Sequence, residues 1–534
     1  MEVTDVHQLS RRSFLLAALS APGIGAAASL ESQQPAAPKV EFIDKIVDAN
    51  QAPDAGVKVE LGPARPVMLA PIGDRQWGLF GFPSVWKLRD GRVVCAVTLG
   101  EDEMPSNGDI RYLWYISEDE GTNWTHVAAN DAEAIGFVRE RFTFPGGRQM
   151  HYESAVVSVP ELAGAKPQLP KDAMPGLVRG ISQLYRLGDL PDKYRSIALY
   201  TRGPAEAGWQ VSRARLDPDI LIPVFKEKVT DDPDADLLAS SFVATRFARI
   251  VPHLGDARLA IPVVHKHYDS AWATPKDFES APPADTVLRI QLPTPSYQPL
   301  HNQSLEPILE APGGRLIVSA KVSRLRFARQ PGGVDTALYP NIFSSEDGGK
   351  TWAYYSSVHY SQVGSFIAAR AHVTPGMPAG NWVAAIRTGS GISTASCPLL
   401  LTRSYDHGHT WTPPVAIRPS SVNPVGGLLG NGIAFRMYGR PGQFITFCGD
   451  GEGKVWGNDV VLVPPVKNPN PTVISDEAEK TGYLQNSCCN SSVQALGPDR
   501  FLVAYTDYQF RDRCGNIRKA VVVRQVVARL RRTA

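Results

Sequence analysis

Cysteine is scarce: six in 534 residues, far too few for a disulfide-stapled scaffold. Net charge is nearly absent as well. Fifty-five Lys and Arg face 53 Asp and Glu, leaving +2 and no overall basic field, which excludes general nucleic-acid binding. Beyond the first thirty residues no stretch approaches 18 continuous apolar residues, so no membrane span is expected in the mature chain. High charge and a lack of aromatics, the marks of a disordered chain, are both missing. What the chain does have is 43% hydrophobic residues, enough for a large core, with 46 Gly and 44 Pro. Such an abundance of turn formers favours an all-β architecture over a helical one.

The N-terminus carries an address. Ser10-Arg11-Arg12-Ser13-Phe14-Leu15-Leu16 leads into an apolar run that ends in Ala26-Ala27-Ala28. A twin arginine, a hydrophobic stretch and small residues before a cleavage point are the pattern of a Tat export signal over residues 1–28. The Tat translocon is then a partner during export, and a periplasmic or secreted location follows. Residues 29–74, Gln-, Pro- and Ala-rich at their start, are read as a linker and N-terminal extension before a domain over residues 75–534.

That domain repeats itself. Ser117-Glu118-Asp119-Glu120-Gly121-Thr122-Asn123-Trp124, Ser345-Glu346-Asp347-Gly348-Gly349-Lys350-Thr351-Trp352 and Ser404-Tyr405-Asp406-His407-Gly408-His409-Thr410-Trp411 share one pattern, Ser-x-Asp-x-Gly-x-Thr-Trp. Cys448-Gly449-Asp450-Gly451-Glu452-Gly453-Lys454-Val455-Trp456 is a degenerate fourth copy. The chemistry is that of a hairpin turn: the Asp accepts backbone N–H groups and the Gly supplies a left-handed position. The Trp packs into a neighbouring layer. Short paired apolar runs recur around these turns, among them 82–85 with 93–94, 306–309 with 315–318, 427–429 with 433–435 and 492–495 with 501–503. Units of this length made of short strands indicate a propeller. The run 520–527 is expected to help close the ring.

These turns are Asp boxes (BNR repeats), and the chain resembles the sialidase (neuraminidase) superfamily. The resemblance implies a six-bladed β-propeller, although the box spacing also accommodates seven blades. It also implies that the boxes lie on the rim away from an active site, so His407 and His409 should be exposed there. The activity implied is that of an exo-acting glycoside hydrolase on a carboxylate-bearing glycan (exo-alpha-sialidase-like), with no cofactor and no metal. Family members clamp the substrate carboxylate with three arginines and use a Tyr nucleophile, its Glu partner and an Asp acid/base.

The residue-by-residue match is partial. Arg387, ending the run Ala384-Ala385-Ile386, fits the second arginine, and Arg440, before the degenerate box, fits the third. Where the first arginine would stand in an Arg-Ile-Pro motif, this chain has Gly81-Phe82-Pro83, and no carboxylate opens the segment 364–367. Tyr483 is the candidate nucleophile, with Asn490 as an alternative occupant of its place. Tyr505 and Asp507 offer a second phenol–carboxylate pair. Glu306 and Glu153 each begin an inner strand, where a propeller places a general acid or base. His265 and His267, after the apolar run 259–264, share one strand face as a substrate-binding or metal-ligating pair, or belong to a solvated loop. Cys488 or Cys489 can pair with Cys514 in an oxidising compartment, or all can stay reduced. Two other functions fit the same features. One is a uronate lyase using His265, His267 or Tyr112 as base; the other is a non-catalytic glycan-binding propeller.

Overall fold

The computed structural model describes residues 56–72, 81–99, 111–128, 132–144, 146–152, 156–158, 184–186, 188, 192, 195–218, 220–230, 250–252, 258–260 and 267–272. It further describes 287–291, 308–321, 323–326, 333–335, 340–358, 370–387, 398–418, 422, 424–439, 442–464, 487 and 490–531. The chain forms a six-bladed β-propeller, each blade an antiparallel sheet built on four strands.

Blade 1 comprises Gly81–Lys87, Val93–Leu99, Arg111–Ser117 and Thr125–Val127, in order from inner to outer edge. Blade 2 comprises Phe142–Thr143, Gln149–Tyr152, Ser196–Arg202 and Gln210–Arg215. Blade 3 takes Leu309–Glu310, Leu316–Lys321, Pro340–Ser345 and Ala353–Ser357, and blade 4 takes Arg370–Thr374, Trp382–Arg387, Leu399–Ser404 and Val415–Arg418. Blade 5 is Gly426–Leu428, Ala434–Gly439, Gln443–Cys448 and Val460–Val463. Blade 6 joins both ends of the chain. Ser492–Ala495, Arg500–Arg511 and Ile517–Leu530 are completed by Val57–Leu61, which pairs from Val57↔Leu530 to Leu61↔Val526. Arg65–Leu69 adds to the same Ile517–Leu530 strand. The ring therefore begins at Val57, inside the stretch read from sequence as an extension, because the alternating Val57-Lys58-Val59-Glu60-Leu61 supplies the missing edge partner.

The inner strands carry near-continuous buried runs, such as Trp382–Arg387 and Ala434–Gly439, so both faces of a blade are buried and the core lies in layers between blades. Val85, Cys95, Leu113, Leu502, Ala504 and Val521 fill the seam between blades 6 and 1. Phe435, Met437, Ile445, Phe501, Val503 and Val522 fill that between blades 5 and 6, where Phe435 and Phe501 stack at 4.3 Å. A helix, Ala132–Arg139, links blades 1 and 2 and caps Trp86, whose indole donates to Phe137 O at 3.0 Å.

The Ser-x-Asp turns join the third and fourth strands of blades 1, 3, 4 and 5 with one geometry. In blade 3, Ser345 Oγ donates to Asp347 Oδ1 and accepts from Gly349 N, both at 2.8 Å, and Thr351 N donates to the same carboxylate at 2.8 Å. Trp352 Nε1 returns to Gly349 O at 3.1 Å. In blade 5 Cys448 replaces the serine, and its thiol donates to Asp450 Oδ1 at 3.0 Å. These bonds stabilise the charged carboxylate, so Asp119, Asp347 and Asp450 lie below their ordinary pKa and Asp406 falls to about 2. His407 and His409 are exposed on this rim. In blade 2 the corresponding turn contains no Asp; Glu206 accepts from Gly203 N at 2.7 Å instead.

A second sheet explains the box spacing. Val156–Ser158 and Leu184–Arg186 come from inside blade 2, Ser323–Arg326 and Gly333–Asp335 from inside blade 3. They assemble with Ile220–Thr230, His267–Trp272 and Val287–Gln291, which lie between those blades in the chain. The long interval from Ser117 to Ser345 thus holds an inserted sheet, not extra blades, and the ring closes with six. Among the described residues no helix is long and apolar enough to cross a membrane.

Candidate functional site at the crossover rim

A propeller has two rims. The Ser-x-Asp turns share one with the hairpins between first and second strands, as shown by Ala379 N donating to Gly451 O and Asn431 N to Pro498 O, each at 3.0 Å. Every second strand starts there and ends at the opposite rim, where the chain crosses to its third strand and, later, to the next blade. The crossover rim therefore collects the ends Leu99, Tyr152, Lys321, Arg387, Gly439 and Arg511, together with the starts of the innermost strands. All three segments that build the inserted sheet emerge on this same rim.

Arg387, the last residue of its strand, stands at the crossover rim, half-buried. Its cross-strand partner is Arg370, the first residue of blade 4, so two arginines occupy one register position; the segment 364–367, where a carboxylate was sought from sequence, lies outside the described residues. Tyr505 and Asp507 also approach this rim, on one face of the second strand of blade 6, two residues apart and turned toward blade 5. Gln509 N donates to Asp507 Oδ1 at 2.8 Å. Burial outweighs that bond and pushes the Asp507 carboxyl up to about 6. Burial also pushes the Tyr505 phenol above its ordinary range, with Asp507 adding to the rise and Arg524 opposing it. The two groups are electrostatic neighbours, but the phenol keeps its proton. A carboxyl that remains protonated to about pH 6 is suited to donating one.

His267 opens its strand in the inserted sheet, opposite Thr230, and Tyr112 lies opposite Thr98 in blade 1. Tyr483, Glu306, Glu153, Arg440 and His265 lie outside the described residues. Cys514 is exposed at the turn of the long blade 6 hairpin, and Cys488 and Cys489 lie outside the described residues. Among the described residues no three His, Cys, Asp or Glu side chains gather as metal ligands.

The structure adds groups that sequence reasoning passed over. Beside Asp507, Tyr508 and Lys519 are buried, the ammonium 5.7 Å from the ring centroid. Ser487 and Thr506 share a hydroxyl hydrogen bond of 3.1 Å, and Asn490 is buried nearby in sequence, before the first strand of blade 6. Phe82, in the segment Gly81-Phe82-Pro83, has φ of 52°, a left-handed conformation that a bulky residue seldom takes. It falls at a bulge between Gly81 and Ser84, and the following Pro83 restricts it further. Strain of this kind, at the start of an innermost strand, is characteristic of binding sites. The one available signal for Lys519 was its place directly before the apolar run 520–523.

The sequence matches no family model and no curated protein. Solved structures do resemble the fold. A protein of unknown function from Dyadobacter fermentans aligns over 87% of this chain and 99% of its own, with 15% identity and a TM-score of 0.41. Penicillium chrysogenum alpha-L-arabinanase, complexed with arabinobiose, aligns over 87% and 98% with 12% identity and a TM-score of 0.38. The intramolecular trans-sialidase from Ruminococcus gnavus aligns over 86% and 96% with 13% identity and a TM-score of 0.35.

Proposed function

We propose that the chain is an exported glycoside hydrolase that cleaves a carboxylate-bearing sugar from a glycan end, with Asp507 as proton donor. The observation that carries this reading is Asp507 itself. It sits on the rim opposite the Ser-x-Asp turns, and burial raises it into the range a general acid needs near neutral pH. Arg387 supports the acidic substrate, since a guanidinium fork matches a carboxylate and no overall basic field exists to attract one. The repeated turns, read as Asp boxes, keep the sialidase superfamily as the frame. Gly81 in place of the first arginine argues for an acidic sugar other than sialic acid. The twin-arginine segment supports export through the Tat translocon to the periplasm or beyond.

The test is turnover of a panel of sialosides and uronic-acid oligosaccharides by the wild type, Asp507→Asn and Arg387→Ala. Loss of roughly 10²-fold or more in kcat for the Asn variant is expected. For the Ala variant the expected change is mainly a raised KM. No release of any acidic sugar, or an unchanged Asp507→Asn enzyme, overturns the reading. Products absorbing in the ultraviolet would mark a lyase instead.

A further inference from the structure

The seam between blades 4 and 5 holds a positive charge with nothing described to balance it. Arg436 lies mid-strand in blade 5 with 0% exposure, and alternation turns it toward blade 4 together with Ala434 and Tyr438. Its Nη1 donates to Phe435 O at 3.1 Å, and its Cζ lies 5.7 Å from the centre of the Trp456 ring. Nε and Nη2 have no partner. Across the seam, the innermost strand of blade 4 presents His372, 6% exposed, and Thr374, 2% exposed; His372 Nδ1 and Thr374 Oγ1 are likewise unpartnered. Arg436 is close enough to help burial depress His372 to about 3, so the imidazole is neutral and its Nδ1 can carry a donor hydrogen. Burial lowers Arg436 itself only to about 10, and the guanidinium stays charged at neutral pH.

The position is built, not accidental. Gly426 is the register partner of Arg436, and a Cβ there would collide with Phe435 O and with the Arg436 side chain. Among the described residues one ion pair crosses this seam, Arg418 with Asp459 at 2.9 Å, so that carboxylate is already committed. A buried, unpaired guanidinium is among the costliest arrangements a fold can contain. The guanidinium charge meets no described carboxylate, and Arg436 Nε and Nη2, His372 Nδ1 and Thr374 Oγ1 can all turn a hydrogen toward one acceptor that carries negative charge.

We infer that Arg436, with His372 and Thr374, holds a small inorganic anion of chloride's size, buried between blades 4 and 5. The anion neutralises the guanidinium and ties the inner strands of the two blades together, independently of whether Asp507 and Arg387 catalyse anything.

Thermal unfolding of the full chain in sodium chloride, sodium bromide and sodium gluconate at equal ionic strength tests this, gluconate being too large for a closed seam. A saturable rise in Tm of roughly 1–3 °C is expected in the two halides and not in gluconate. Arg436→Met should abolish the difference, while Arg529→Met, at an exposed ion pair on blade 6, should retain it. Bromide-grown crystals should show an anomalous peak within about 3.5 Å of Arg436 Nε or Nη2. Equal Tm values in the three salts, a halide response surviving in Arg436→Met, or a bromide map with only water beside Arg436 would each overturn the inference. The crystals decide the matter even if the Met variant does not fold.

Discussion

The ion pair of Arg418 with Asp459 gives the sharpest energetic prediction. Both side chains are 5% exposed, and Arg418 Nε reaches the two carboxylate oxygens at 2.9 and 3.1 Å. The remaining guanidinium hydrogens go to Ile417 O at 2.8 Å, Thr446 Oγ1 at 3.2 Å and Gly457 O at 2.6 Å, while Tyr438 donates to Asp459. Arg418→Met leaves Asp459 buried with a phenol as its described partner, which should cost about 3–5 kcal/mol. Asp459→Leu strands the cation instead, but three bonded oxygens remain, so its cost should lie at about 3 kcal/mol, the low end. The double variant removes both charges and should recover much of the loss, giving a coupling of about 2–3 kcal/mol toward stability. Urea unfolding followed by tryptophan fluorescence and by circular dichroism measures all four proteins. Single costs that simply add, with no coupling, would refute the claim that the pair is mutually compensated and not merely adjacent.

Two further outcomes follow from particular residues. Asp507 titrates near 3.9 in an unfolded chain and near 6 here, so the native state binds more protons between those values. Stability should therefore fall as pH rises from about 4 to 6 and level off above, and Asp507→Asn should flatten that slope in a Tm-versus-pH series. At Gly408, φ is 91° and a new Cβ would strike the Trp382 ring, so Gly408→Ala should lower stability by about 2–3 kcal/mol in the same urea assay. A loss below about 0.5 kcal/mol would show that the turn can shift away from the Trp382 ring.

What was legible in the sequence is what depends on neighbours along the chain. A Ser, an Asp, a Gly and a Trp within eight residues dictate one hairpin turn whatever surrounds it, and the short hairpins at 82–94, 427–435 and 492–503 appear where their patterns place them. The inserted sheet could not be read, because its strands come from three separated segments whose pairing is long-range. The 228 residues between Ser117 and Ser345 consequently mimicked four regular units. Blade 2 was hidden because its turn uses Glu206, with the Arg202 guanidinium 4.7 Å from the Trp209 ring centre, in place of the recurring Asp. At the candidate site, Arg387 and Asp507 were visible as polar residues on apolar strands. The raised Asp507 carboxyl was not, since it depends on packing from blade 5, and Arg436 was overlooked although an Arg in Ala-Phe-Arg-Met-Tyr carries the same signal.

Closure of blade 6 by Val57–Leu61 on Ile517–Leu530 has a consequence for how the protein is made. Val57 emerges from the ribosome long before its partner Leu530. Until that partner emerges the outermost strand waits as an unpaired edge, and blades 1 to 5 accumulate as an open arc. The arc can become a ring only once Ile517–Leu530 has been synthesised, through one of the longest-range pairings among the described residues, and such closures are slow. An export signal over residues 1–28 would thus stand, in sequence, ahead of the last strand to find its place. A machinery that accepts only folded cargo would, in this molecule, be sensing whether the circle has shut.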